Sequence, residues 1–275
     1  MKPQRVVVAL SGGGAKAAAH VGALKALDDW DMRPAHYVGT SMGAVVAACF
    51  AAGLSYDDVL RRMLSIKRQD VAGFSPRALL GPWAKSLLRS RPLADTIAQL
   101  VPARRFLDLK TSLTVTATDL QTGELVLFGA GGITVGLIEA LYASCALPLY
   151  YPAGQIGGRE YVDGGLRAVL PIDVAAEFSP DVVVGVSVGP SLYERPAAQE
   201  AGVPRLIRAH GETMRVMMAA QTQEMLERWK ASTIPLVYVQ PVVEANATFS
   251  VDNVARYVEF GYRATHRALM KWKEG

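Results

Sequence analysis

The chain has 275 residues, 51% of them hydrophobic and 20% charged, with a formal net charge of +4. That apolar fraction and modest charge exclude a disordered chain and suffice for one large domain. The mildly basic balance permits contact with an anionic surface, but no aromatic-plus-basic motif points to nucleic acid.

In chain order, residues 6–10 (Val-Val-Val-Ala-Leu) read as a buried strand entering Ser11-Gly12-Gly13-Gly14. Lys2 and Arg5 ahead of it give the look of a weak leader, but five apolar residues that run straight into glycines read better as a first strand. Residues 15–29 form a helix with Val21, Leu24, Ala26 and Leu27 toward the core. Residues 37–40 are a second strand, and 42–52 an almost wholly apolar, hence buried, helix ended by Gly53. Two strand–loop–helix units imply a parallel sheet covered on both faces.

Between 55 and 110 the composition changes. Ser55 and Asp58 resemble a capping box opening an amphipathic helix, and Pro76, Pro82, Pro92 and Pro102 divide the rest. Basic residues are interleaved there with Leu60, Met63, Leu64, Phe74 and Trp83, as expected of a cap that meets anionic lipid; the plainer alternative packs those apolar groups on the sheet. Strands return at 113–118 and 125–128 around Gln121-Thr122-Gly123, then a helix at 136–146 stopped by Pro148. A short strand near 159–162, a buried strand at 182–188 and a loop at 189–204 follow. A long helix at 205–230, a strand at 236–240 and a helix at 251–273 close the chain. Met214, Met217, Met218 and Met225 on the long helix suit core packing or self-association.

Cys49 and Cys145 lie in apolar stretches and read as buried free thiols, and the four histidines form no cluster with metal-ligand spacing. No run of about 18 apolar residues exists, so a spanning helix is not expected. A cytoplasmic protein without cofactor is the default reading, with peripheral contact to the inner face of a membrane as its extension.

Three segments carry chemistry. Gly39-Thr40-Ser41-Met42-Gly43 fits G-x-S-x-G between a strand and a helix, where a strained turn exposes the serine and flanking glycines let the backbones pass closely. The helix N-terminus behind it adds positive potential. Gly12-Gly13-Gly14-Ala15-Lys16-Ala17 suits an oxyanion hole, since glycines free backbone N–H groups to face a cavity. It also satisfies G-x-G-x-x-G/A, but the second strand ends in Gly39-Thr40-Ser41, without the acid a dinucleotide site wants. A P-loop fails because Ala15 and Ala17 flank the lysine. Asp163-Gly164-Gly165 alone is a common turn. A serine nucleophile needs a base, yet His20 and His36 precede the serine, and His210 and His266 lie inside helices.

These three motifs, in this order, resemble the patatin-like phospholipase family. His20-Val21-Gly22-Ala23-Leu24 and Ala143-Ser144-Cys145-Ala146-Leu147-Pro148 add to the likeness, which spans residues 5–190. The resemblance implies one domain over 1–275 with a three-layer α/β/α sandwich and a mostly parallel central sheet. In that scheme 55–110 is a helical insertion or cap, and 204–275 supplies C-terminal helices and a strand. It further implies hydrolysis of lipid acyl esters by a Ser–Asp dyad, with Ser41 as nucleophile and Asp163 as base. Gly12, Gly13 and Gly14 would form the oxyanion hole, with Lys16, Gly39, Gly43, Gly164 and Gly165 in support. The implied partner is a lipid or acyl ester. Two departures stand out: Ala17 where the family usually has glycine, and Lys16 where arginine is commoner. An aspartate near 3.9 is a poor base in water, so the dyad needs burial, as apolar Tyr161, Val162 and Leu166 would provide. A lipid-binding or regulatory protein without turnover on the same fold is the alternative, and a nucleotide-dependent oxidoreductase a third.

Overall fold

The computed structural model describes residues 5–71, 73, 75, 86–192, 205–243 and 253–274. Among them eight strands form one sheet in the order β5-β6-β3-β2-β1-β7-β8, with β4 added against β3. The strands are β1 (Val6–Leu10), β2 (Pro34–Thr40), β3 (Ser112–Asp119), β4 (Leu125–Gly129), β5 (Gly154–Ile156), β6 (Arg159–Asp163), β7 (Val182–Val186) and β8 (Leu236–Val239). Five of them, β3-β2-β1-β7-β8, run parallel, while β4 and β6 pair antiparallel with β3.

Alternation along β1 shows the layers. Val6, Val8 and Leu10 face one core, Val7 and Ala9 the other. The first core is roofed by α1 (Ala18–Asp29), α2 (Met42–Ala51), α3 (Tyr56–Leu64), α5 (Ser90–Leu100), α6 (Leu137–Cys145) and α9 (Val254–Glu274). A short α4 (Arg68–Val71) precedes α5. The second core is covered by α7 (Ile172–Ala176) and the C-terminal half of α8 (Arg205–Trp229), through Met225 and Trp229. Because both faces are covered, the central strands are apolar on both sides, which is why β1 and β7 read as unbroken apolar runs. This is the expected three-layer α/β/α arrangement.

Helix α1 starts at Ala18 rather than 15, because Gly14–Ala17 closes a 3-10 turn first. It crosses α9 almost in backbone contact. A Cβ on Gly22 would lie 1.8 Å from the Val258 carbonyl oxygen, and one on Gly261 would lie 1.8 Å from the Ala19 carbonyl oxygen.

Among the described residues of 55–110, apolar side chains of α3 and α5 turn inward, while Leu64 and Leu107 are exposed. Ser55 caps α3 by accepting from the Asp58 N–H at 3.2 Å. Val59 and Met63 of α3 and Leu93, Ile97 and Leu100 of α5 are buried in the first core. Arg62 donates to the Gln99 and Leu100 carbonyls at 2.7 and 3.1 Å, tying the two helices together. Leu64 is the exposed exception on α3. Phe74 and Trp83 lie outside the described residues. Cys49 and Cys145 are buried free thiols. No described helix is long and apolar enough to cross a membrane.

Candidate active site

Register assembles the site. Thr40, the last residue of β2, pairs with Thr116 of β3, and the next β3 residue, Ala117, pairs with Asp163 at the end of β6. Adjoining register positions thus bring residue 41 and residue 163 to one edge. Thr40 and Thr116 share a hydroxyl hydrogen bond of 2.7 Å, and Thr40 Oγ1 also donates to the Ala168 carbonyl at 2.7 Å.

Ser41 sits at the N-cap of α2 with φ 54° and ψ −133°, a left-handed conformation uncommon outside glycine. The turn is held from both sides. The Ser41 N–H donates to Ser144 Oγ at 2.8 Å, and the Ser41 carbonyl accepts from the Ala44 N–H at 2.9 Å. Clearance requires glycine: a Cβ on Gly39 would lie 2.4 Å from Ala44 Cα, and one on Gly43 would lie 2.3 Å from the Ser11 carbonyl oxygen.

Ser41 Oγ donates to Asp163 Oδ2 at 2.7 Å. The other carboxylate oxygen, Oδ1, accepts from the Gly165 N–H at 2.7 Å. Thr118 Oγ1 donates to the Asp163 carbonyl at 3.0 Å, and the Asp163 N–H donates to the Ala146 carbonyl at 3.1 Å. The backbone of residue 164 lies against Thr116, where a Cβ would be 2.4 Å from Thr116 Oγ1. Asp163 is only 5% exposed. Burial pushes its carboxyl from 3.8 up to about 6, while the hydrogen bonds from Gly165 and Ser41 pull the other way. Tyr161 and Val162 are buried as expected, whereas Leu166 is half-exposed.

The glycine loop lies beside the serine. Gly12 approaches Ser41 so closely that a Cβ would lie 3.3 Å from Ser41 Cβ. Its N–H donates to the Val169 carbonyl at 3.1 Å. Gly13 and Gly14 line the cavity, as does the almost fully buried Lys16. Ser11 is the loop's anchor: its Oγ accepts from the Val188 N–H at 2.8 Å and donates to the Gly12 carbonyl at 3.0 Å. The Ser11 carbonyl accepts from His20 Nε2–H at 2.9 Å. His20 is fully buried, and burial lowers its imidazole to about 4, so it is a neutral donor at pH 7. Sequence order gave His20 no role near the site; the fold makes it a support of the glycine loop.

Of the other histidines, His36 and His266 are engaged away from the site, while His210, on the cavity-wall helix α8, has a buried Nε2 without a hydrogen-bond partner among the described residues. His36 shares a 3.0 Å hydrogen bond with Thr114 Oγ1 and stacks on Phe178. His210 lies against Tyr150, and His266 against Trp30 and Tyr262. The described residues contain no group of three or more His, Cys, Asp or Glu able to hold a metal ion.

Ser41 and Asp163 open into a cavity of about 380 Å³. Met63, Ile66, Val71 and Leu93 give it one apolar wall, and Leu147, Tyr150 and Tyr151 another. Helix α8 supplies a third, with Ile207, Arg208, Gly211, Glu212, Arg215 and Met218. Sequence reading missed this third wall, because the long helix carries no motif. Its only signal is the return of small and apolar residues on one face at 207, 211 and 218.

A buried carboxylate bonded to a strained serine, beside a glycine loop and an apolar cavity, is chemistry for acyl transfer. The profile of the patatin-like phospholipase family matches residues 8–176. The chain belongs to the patatin-like phospholipase family. Among its relatives, an uncharacterized NTE family protein of Mycobacterium tuberculosis (strain H37Rv) is 30% identical over 212 residues. That match covers 74% of this chain and 56% of the relative, so the chain spans little more than half of that protein's length. The uncharacterized protein YqhO of Bacillus subtilis is 26% identical over 285 residues, 95% of this chain and 97% of its own. Human omega-hydroxyceramide transacylase is 32% identical over 171 residues, 60% of this chain and 31% of its own. The crystal structure of VipD from Legionella pneumophila shares the fold at a TM-score of 0.51 and 16% identity, over 98% of this chain and 67% of that one. Against the patatin-like pattern, Ala17 stands where glycine is usual. Its φ of −58° and ψ of −15° are helical, so the backbone there does not call for glycine.

Proposed function

We propose that this patatin-like protein hydrolyses acyl esters of lipids, with Ser41 as nucleophile and Asp163 as its general base. The observation that carries the reading is the 2.7 Å bond from Ser41 Oγ to an Asp163 carboxylate held up to about 6 by burial. At neutral pH such a group is still mostly ionised and is a better proton acceptor than a solvated aspartate.

The reaction runs in two halves. Ser41 Oγ attacks the ester carbonyl carbon as its proton passes to Asp163 Oδ2. The carbonyl oxygen takes the negative charge, facing the N–H groups of Gly13 and Gly14 and the N-terminus of α2. Collapse of this intermediate expels the alcohol, which takes the proton from Asp163 and leaves the acyl group on Ser41. Water then gives a proton to Asp163 and attacks the acyl-enzyme; the second tetrahedral intermediate releases the acid and returns the proton to Ser41. The Gly165 N–H on Oδ1 keeps Oδ2 aimed at the serine throughout. No step requires a metal or a cofactor. The apolar walls from Met63 to Tyr151 suit an acyl chain.

The test is hydrolysis of a short-chain p-nitrophenyl ester and of a panel of lipid esters, with fluorophosphonate labelling of Ser41. Turnover and labelling by the wild-type protein, both lost in Ser41→Ala, support the proposal. A folded wild-type protein that binds lipid but turns over no ester supports instead the non-catalytic reading.

A further inference from the structure

We infer that the N-terminal half of α8 is a membrane-docking surface whose outward face seats in the headgroup layer of an anionic phospholipid bilayer. The inference rests on the reading of the adjoining cavity as a lipid-ester site.

Helix α8 is two helices in character. Its buried residues, Ala219, Thr222, Met225 and Trp229, all lie in its second half. From 205 to 218 the inward side is the cavity wall. Every residue it gives to that wall, from Ile207 to Met218, is itself half-exposed, so the cavity opens along this helix. The outward side carries Leu206, Ala209, Thr213, Val216 and Met217, with Arg205 at its end. On a helix of 3.6 residues per turn these positions fall within an arc of about 120° and a length of about 18 Å. Leu206 is 82% exposed, Met217 61% and Val216 46%.

Single exposed apolar residues are ordinary. A contiguous strip without one acidic group is not, because a water-facing helix surface normally carries charge. Residues 205–218 hold three arginines against one glutamate, a balance of +2: Arg205 lies on the outward side, while Arg208 and the pair Glu212–Arg215, 3.0 Å apart, lie on the cavity side at its open edge. The charge suits an anionic surface. The area argues against a second copy of the chain. A strip of about 18 Å by about 10 Å offers roughly a quarter of the ~800 Å² per partner of a stable dimer. A bilayer interface, by contrast, accepts a single helix face to a depth of about 5–10 Å. Docked this way, the open side of the cavity meets the lipid directly, and an ester reaches Ser41 without crossing water.

The experiment uses Ser41→Ala protein, so that binding is read without turnover, in co-sedimentation with phosphatidylglycerol or phosphatidylcholine vesicles. Binding to phosphatidylglycerol and much weaker binding to phosphatidylcholine are expected. Leu206→Ser with Met217→Ser weakens the partition about tenfold or more, while Leu64→Ser on α3 leaves it unchanged. If the double variant does not fold, Leu206→Glu in the exposed first turn carries the same test. With Ser41 restored, the double variant keeps full activity on a soluble short-chain ester and loses activity on vesicle-borne lipid. Absence of binding to phosphatidylglycerol overturns the inference. So does unchanged binding by the double variant, or a shift from dimer to monomer with no change in vesicle binding. Vesicle binding by a protein that hydrolyses no ester leaves the docking surface standing and removes the proposed reaction.

Discussion

Two strand-to-helix turns meet at the site, and they use glycine differently. In the turn after β2, the strained residue is Ser41 itself, and Gly39 and Gly43 are there to give neighbouring backbone room. In the loop after β1, the glycines form the turn, with Gly14 at φ 57°, and the support comes from outside, through His20 and Val188 on Ser11. The two touch where the Ser11 carbonyl lies against Gly43 and where Gly12 lies against Ser41. Each turn also has a buried titratable group of its own, Asp163 for the first and His20 for the second. Their shifts give the two turns opposite pH dependences across the same window, from about pH 4 to 6.5.

The largest expected effect separates chemistry from scaffold. Asp163→Asn keeps the shape and removes the proton acceptor, so kcat on a soluble ester falls about a thousandfold. Single substitution of His36, His210 or His266 leaves kcat within about threefold of wild type, and a loss comparable with Asp163→Asn in any of them would point to a triad.

The glycines come next. Gly43→Ala drives a methyl into the Ser11 carbonyl and is expected to cost about 3 kcal/mol of stability in chemical denaturation. Gly12→Ala meets Ser41 Cβ at the looser distance of 3.3 Å. It costs under about 1 kcal/mol but lowers kcat at least about tenfold by displacing the loop from the nucleophile. Equal stability losses in the two variants would break the contrast between clearance and alignment.

The pH dependence sharpens it further. Asp163 rises from 3.8 to about 6 on folding, so its protonation favours the folded state at acid pH. That contribution is present below pH 4 and lost as pH rises through 6. At pH 8 the ionised Asp163 costs up to about 3 kcal/mol, and Asp163→Asn is expected to be the more stable protein there, with the gap closing by pH 4. Activity follows the reverse course, rising through about pH 6 as the base ionises. His20 falls from 6.5 to about 4, so its contribution is present above pH 6.5 and fades as pH drops toward 4. His20→Gln keeps a donor for Ser11 and flattens that acid limb, although His36, lowered to about 4 as well, retains part of it.

His20→Leu tests the loop's support at pH 7. Leaving the buried Ser11 carbonyl without its partner costs about 1–3 kcal/mol. It lowers kcat with little change in KM, and His20→Gln restores most of it. A matched rise in KM would instead place His20 in substrate binding.

The three motifs were legible because each is local: a strand, a tight turn and a helix start leave their glycines within a few residues of one another. The parallel sheet followed from the same units. What could not be read is non-local or short. Strand β5 has three residues and α7 five, too brief for any period to show. Ser144 was visible within a motif, but its bond to the Ser41 N–H joins residues 103 apart. The cavity walls from α3, α5 and α8 converge from separate parts of the chain, and only the fold shows which apolar residues face a void rather than the core. The interleaved charges of 55–110 look the same in sequence whether the apolar face meets lipid or the core, and here Val59, Met63, Leu93 and Ile97 join the first core beside the neighbouring helices.

The interlock of α1 with α9 has a consequence in time. Gly22 waits for Val258, a residue 236 positions later. At synthesis rates of about 5–20 residues per second, that interval is on the order of ten to fifty seconds. Throughout it, the helix that carries His20 has no partner for its glycine face. The nascent chain therefore carries the turn at Ser41 well before the glycine face of α1 is covered. Helix α9 closes over α1, so the layer beside the glycine loop is complete only once residues 254–274 have been made.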